Sequence, residues 1–145
     1  MKLDRVQLER LLPHRPPILI LDRVIDLVPR QRGIGVKRFG VGDPFFAGHF
    51  PGQPVLPGIY TIEALAQTAA TIFLVRDGVA HSGPLWGLLA KVDEMAFYAP
   101  IVPGDEVEFR IEVDRTVGPF VFVRGEAAVG DKRCAAGKLT VRLGQ

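Results

Sequence analysis

The sequence predicts an α+β fold in which a curved antiparallel sheet wraps around one long central helix, and two observations carry most of that expectation. Ile59–Val75 is a mostly apolar run in which Ile59, Ile62, Ala66, Ala69 and Phe73 recur at three- and four-residue spacing. Tyr60, Leu65, Ile72 and Leu74 put apolar side chains on its other faces, and a helix apolar nearly all round belongs inside a protein. Further on, Val107, Phe109, Ile111 and Val113 alternate with Glu106, Glu108, Arg110 and Glu112, the pattern of a strand with one buried and one wet face. Gly118-Pro119 and Gly130-Asp131 then set off Phe120–Val129 and Arg133–Leu143, so three strands follow one another through short turns.

The other elements follow in chain order. Asp4 is placed to cap a short helix reaching Leu12, and Pro13 ends it. Pro13-His14-Arg15-Pro16-Pro17 reads as a rigid connector, with His14 and Arg15 fastening it by hydrogen bonds. Ile18–Val28 is β-branched enough for a strand, and Gly33–Phe39 alternates with Ile34 and Val36 on one side. Gly42-Asp43-Pro44 turns the chain into a stiff loop rich in Gly and Pro, up to Gly58. Asp77-Gly78 is the stop signal of the long helix, Asp77–Pro84 a loop with His81 exposed in it, and Leu85–Phe97 a further strand. One helix held by one sheet leaves an edge strand bare, and a second copy joined edge to edge would cover it, so a homodimer is expected.

Composition narrows the classes. The chain has 145 residues, enough for one domain over residues 1–145, and 48% hydrophobic with 23% charged content argues against disorder. A net charge of +2 is too small to suggest nucleic acid. The single cysteine, Cys134, excludes an internal disulfide and reads as an inert core thiol. The long helix holds Glu63, Gln67 and threonines, which makes it too polar and too short for a bilayer. Met1-Lys2-Leu3-Asp4-Arg5 lacks the apolar core of a signal peptide, and a cytoplasmic location is expected. No metal-ligand cluster, phosphate loop or serine triad is visible, and Gly33-Ile34-Gly35 is too short for a dinucleotide fingerprint, so no metal or other cofactor is expected.

The titratable candidates are His49, in the stiff loop, and Glu63, the one acid of the apolar helix, and such groups in apolar surroundings are where acid–base chemistry is arranged. Gln67, one turn after Glu63, is placed to orient its carboxyl.

Several stretches form one pattern. They are Leu12-Pro13-His14-Arg15 with Pro17, Leu21-Asp22-Arg23-Val24, Phe45-Phe46-Ala47-Gly48-His49-Phe50-Pro51-Gly52, Pro54-Val55-Leu56-Pro57-Gly58, Glu63-Ala64-Leu65-Ala66-Gln67 and Val102-Pro103-Gly104-Asp105. In these the sequence resembles the (3R)-hydroxyacyl-acyl-carrier-protein dehydratases of fatty acid synthesis, a hotdog-fold family. The resemblance implies removal of water from a 3-hydroxyacyl thioester on acyl carrier protein to give a trans-2-enoyl thioester. It implies His49 as base and Glu63 as acid, drawn from different subunits of a dimer, in a family that also forms trimers of dimers. Glu63 serves as acid only if it holds its proton near neutral pH, which burial among Ile59, Ile62 and Ala66 would favour. The N–H of Gly58, at the helix start, suits the thioester oxygen as negative charge grows there. Phe50 and Gln67 complete the expected substrate-contacting set.

One region departs from the family. Met95-Ala96-Phe97-Tyr98-Ala99-Pro100 puts Ala96, Tyr98 and Ala99 where basic residues that dock the acidic carrier are common. Docking would then use other bases, among which Lys37, Arg38, Arg76 and Lys91 are candidates, or an unusual carrier. A hotdog thioesterase would leave His49 without a task, and a non-catalytic acyl-binding subunit would need neither His49 nor Glu63. A dehydratase that also isomerises usually carries Asp at the position of Glu63.

Overall fold

The computed structural model describes residues 1–76, 79–80 and 86–144. In order they form α1 (Arg5–Leu11), β1 (Arg23–Val28), β2 (Arg32–Arg38), α2 (Gly58–Leu74), β3 (Val75–Arg76), β4 (Val79–Ala80), β5 (Trp86–Phe97), β6 (Glu106–Val117), β7 (Phe120–Val129) and β8 (Lys132–Gly144). Six of the strands make one antiparallel sheet in the order β1-β2-β6-β7-β8-β5. The helix α2 touches every strand of it, the enclosed-helix α+β arrangement expected from the sequence.

Local chemistry explains the ends. Asp4 accepts the N–H of Gln7 while the Gln7 side chain accepts the N–H of Asp4, a capping box that starts α1. The buried stripe of α2 is Ala64, Leu65, Thr68, Ala69 and Ile72, set against Val107, Phe109, Ile111 and Val123 of the sheet. The buried hydroxyls of Thr68 and Thr71 donate to the carbonyls of Ala64 and Gln67, so neither is left unpaired in the core.

Four expectations change. The face carrying Ile59, Ile62 and Ala66 is the open one, with Ile59 68% exposed, because a single sheet covers only the opposite side of the helix. The strand expected from Ile18 begins at Arg23 instead. The backbone of 18–21 makes side-chain hydrogen bonds where a ladder would be: Gln67 takes Ile18 O and Ile20 N–H, and Arg5 takes Leu19 O and Leu21 O. In β2 the residues facing α2 are Gly33 and Gly35 and not Ile34, since an added Cβ would lie 3.0 Å from Ile72 at Gly33 and would strike Thr68 Oγ1 at Gly35. Finally, α2 stops at Leu74, where Val75 turns extended and pairs with Ala80, so part of the expected loop is strand. Asp77, Gly78 and His81 lie outside the described residues.

The strand β5 pairs with β8 and forms one edge of the sheet, with Leu88, Leu89, Val92 and Phe97 exposed along it. The outer face is a ladder of alternating charge: Arg110 bridges Glu108 and Glu126, Arg124 meets Glu112, and Lys138 meets Glu94.

The close approach of α2 to β2 yields a stability prediction. Gly35→Ala forces its methyl into Thr68 Oγ1 and to 2.8 Å from Leu21 Cδ2, and should destabilise the fold by about 1–3 kcal/mol. Gly42→Ala, where nothing lies within 4 Å of the new methyl, is the control. Equal urea midpoints for the two variants would remove the packing argument.

Candidate active site

The loop between β2 and α2 is fastened at both ends. Phe45 and Phe46 are buried edge-on against Phe39, each with ring centroids 5.9 Å away, and Phe45 also lies 4.6 Å from Tyr60 of α2. Near the helix, Leu56 N–H donates to Ile101 O at 2.8 Å. Between these anchors the backbone of His49 donates to Phe46 O and accepts the Val55 N–H at 2.7 Å. The ring is pinned as well, with Nδ1 2.9 Å from Val55 O. A carbonyl oxygen only accepts, so Nδ1 carries the hydrogen and the neutral ring presents a lone pair at Nε2. Phe50 stacks on that ring at 4.0 Å and is 55% exposed.

Glu63 lies on α2, with its side chain partly exposed. Its Oε1 accepts from Gln67 Nε2 at 3.0 Å, the i, i+4 contact expected from the sequence. Gln67 is 1% exposed, and its amide is also held by Ile20 N–H at 3.0 Å and Ile18 O at 2.7 Å. Sequence reasoning missed His14, whose Nε2 stands 3.6 Å from the same Glu63 oxygen. No signal near His14 in the chain points to that meeting, which the connector makes by folding over α2. Arg15 does fasten the connector, donating to the carbonyls of Leu12 and His14. Among the described residues, no ion pair or hydrogen bond joins His49 to Glu63 within one chain.

Gly58 opens α2, and Pro57 before it supplies no side-chain cap. The Tyr60 N–H turns back to Pro57 O, and the N–H groups of Gly58 and Ile59 are left as donors toward developing negative charge. A Cβ at Gly58 would stand 2.8 Å from Phe97 Cζ, so only glycine lets that ring cover the helix start. Beside it runs an apolar groove of about 570 Å³, lined by Val55, Ile59, Ile62, Phe97, Ala99 and Ile101. Cys134 also borders the groove; burial pushes its thiol up, in keeping with an unreactive group.

The proposed docking bases are largely engaged. Lys37 faces Asp22 and Asp43, Arg38 faces Glu106, and Lys91 faces Asp93. The side chain of Arg76 lies outside the described residues. Arg133 of β8 places its guanidinium 5.0 Å above the Tyr98 ring and its Nε 3.7 Å from Glu126, so a positive charge, itself paired, stands beside the segment that has none.

Burial holds the His14 imidazole below its ordinary value of 6.5, against the opposing pull of Glu63. The unfolded chain then binds this proton more readily than the folded one. The His14 contribution to stability is intact above about pH 6.5 and falls as pH drops, until His14 protonates in the folded state too. Chemical denaturation from about pH 8 to about pH 5 should show a shallower loss in His14→Gln than in the parent chain. Equal slopes would mean that the His14 environment does not discriminate between the two protonation states.

Residues 12–138 match the family model described as the FabA-like domain. The chain is 37% identical over 144 residues to a 3-hydroxyacyl-[acyl-carrier-protein] dehydratase FabZ of Syntrophomonas wolfei, a match covering 99% of this chain and 98% of the relative. It is 39% identical over 136 residues to the protein of that name from Myxococcus xanthus, covering 94% and 88%. Among solved structures it resembles the dehydratase heterocomplex ApeI:P from Xenorhabdus doucetiae, with TM-score 0.77, 17% identity and coverage of 96% and 91%. It also resembles a hot-dog-like protein from Thermanaerovibrio acidaminovorans, with TM-score 0.62, 19% identity and coverage of 82% and 84%. These two likenesses identify the hotdog fold. With the model matched from the end of α1 into β8 and full-length relatives above 30% identity, the chain belongs to the FabA-like dehydratase family.

Proposed function

We propose that this chain removes water from (3R)-3-hydroxyacyl thioesters held on acyl carrier protein, giving trans-2-enoyl thioesters in fatty acid or related acyl-chain synthesis. It is an enzyme, a hydro-lyase. The observation that carries the reading is an imidazole whose Nδ1 is pinned by Val55 O, leaving Nε2 as base, in a chain that matches 3-hydroxyacyl-[acyl-carrier-protein] dehydratases along nearly its whole length.

The reaction divides among three groups. His49 Nε2 takes the proton from the carbon next to the thioester. The charge that moves onto the thioester oxygen meets the Gly58 N–H at the helix start. Glu63 gives its proton to the 3-hydroxyl, which leaves as water as the carbon–carbon double bond forms. A proton returned from His49 to Glu63 through solvent resets the site. The acyl chain lies in the groove beside Gly58, with Phe97 and Ile101 at its walls, and Gln67 holds the Glu63 carboxyl.

Base and acid come from two copies of the chain. The open face of α2 with Ile59, Ile62 and Ala66, and the bare β5 edge with Leu88, Leu89 and Val92, support a homodimer in which His49 of one copy meets Glu63 of the other. The enzyme works in the cytoplasm. The acidic carrier docks beside Tyr98 through Arg133.

Turnover of a 3-hydroxyacyl thioester tests the site. His49→Ala and Glu63→Gln should each lose about 100- to 10,000-fold in kcat with the melting temperature nearly unchanged. A folded variant that keeps more than about a tenth of the parent rate removes its residue from the chemistry. Mixing the two inactive variants under subunit exchange should restore part of the activity, since some heterodimers hold one intact site. No recovery after verified exchange argues against shared sites. Arg133→Glu should raise KM for the carrier-bound substrate and leave the coenzyme A thioester unaffected; equal effects on both would separate Arg133 from docking.

A further inference from the structure

We propose that His14 is a positioning residue for Glu63: together with Gln67 it holds carboxyl Oε1 as an acceptor, so that Oε2 is the oxygen that carries and delivers the proton. The inference rests on the reading of Glu63 as the acid.

The Gln67 amide has no freedom to turn. Its oxygen accepts the Ile20 N–H at 3.0 Å and its nitrogen donates to Ile18 O at 2.7 Å. Those backbone groups have fixed polarity, so the NH₂ end of the amide faces Glu63. Glu63 Oε1, 3.0 Å away, must accept from it. A proton on the carboxyl therefore sits on Oε2, the oxygen that neither Gln67 nor His14 engages.

His14 Nε2 approaches that same Oε1, at 3.6 Å. Catalytic hydrogen bonds are often this long before substrate binds and tighten with it. An oxygen committed to accepting calls for N–H at His14 Nε2, which leaves Nδ1 of the neutral ring as a bare lone pair. Nδ1 is the one buried side-chain nitrogen or oxygen without a partner among the described residues. An unmade acceptor is the lesser penalty than an orphaned buried N–H, so the tautomer that serves Glu63 is also the one that burial favours. Burial further keeps the ring neutral, against the pull of Glu63. A neutral donor orients the carboxyl without the positive charge that would draw off its proton. The groups facing His14 are thus Glu63 from α2 and, through Glu63, the Gln67 amide.

The test is turnover of a 3-hydroxyacyl thioester by His14→Gln, which keeps an N–H donor, and by His14→Met, which has similar bulk and none. Each is made alone and in Glu63→Gln. His14→Met should lower kcat about 5- to 10-fold at unchanged KM, the loss of one hydrogen bond between neutral groups. His14→Gln should stay within about threefold of the parent, and neither should add to the loss in Glu63→Gln. Unchanged kcat in His14→Met, equal losses in both variants, or a loss additive to Glu63→Gln overturns the proposal. If His14→Met does not fold, His14→Ala should recover kcat with added imidazole, and no recovery overturns it equally. Near-parent turnover in Glu63→Gln defeats the acid assignment and this role with it. An inactive Glu63→Gln beside a fully active His14→Met defeats the role of His14 alone.

Discussion

The Gln67 amide, 1% exposed in the middle of α2, makes three hydrogen bonds at once. Two of them take the carbonyl of Ile18 and the N–H of Ile20, and so hold the connector after α1 against the helix. The third fixes the Glu63 carboxyl. A buried amide left unpaired is costly, and a satisfied one admits very few arrangements of its neighbours. The same side chain therefore sets where the N-terminal segment crosses α2, where His14 arrives, and which way the carboxyl points. Helix, connector and site are tied at one residue.

Around that tie the chain is asymmetric. One side of α2 is sealed by the sheet, closely enough at β2 that glycine is required, and the other side stays open with Ile59 and Ile62 along it. The open side is also the side of Glu63 and of the groove that starts at Gly58. An apolar face of this kind beside an exposed β5 edge marks a surface built to be covered. The charged outer face contrasts with it. Its carboxylates and guanidinium groups are paired across the strands and are already satisfied within the chain.

The enclosed helix and the β6–β8 meander were legible because hydrophobic periodicity records which face is buried, and Val107, Phe109 and Ile111 follow it closely. The errors have physical causes. Ile18–Leu21 reads as strand from its side chains, but its backbone bonds go to Gln67 and Arg5, partners no local pattern reveals. The inward parity of β2 was misread because its helix-facing residues are Gly33 and Gly35, which have no side chain for periodicity to register. In the site, the Glu63–Gln67 contact follows from i, i+4 spacing. The His14–Glu63 contact spans 49 residues and depends on how a proline-rich connector folds.

His49 rides on a loop and Glu63 on a helix, and only the short stretch through Pro57 joins the two in sequence. The loop is located by Phe45 and Phe46 at one end and by Leu56 at the other, and the Gln67 side chain bonds instead to Ile18, Ile20 and Glu63. The imidazole and the carboxyl are thus held by different sets of contacts, which meet where Phe45 lies against Tyr60 of α2. Repacking Phe46 against Phe39 would move the imidazole without touching the hydrogen bond that holds the carboxyl. In the proposed dimer, where His49 of one copy faces Glu63 of the other, the spacing of the pair is then open to change by drift or by selection for another substrate while the Gln67 hydrogen bonds stay as they are.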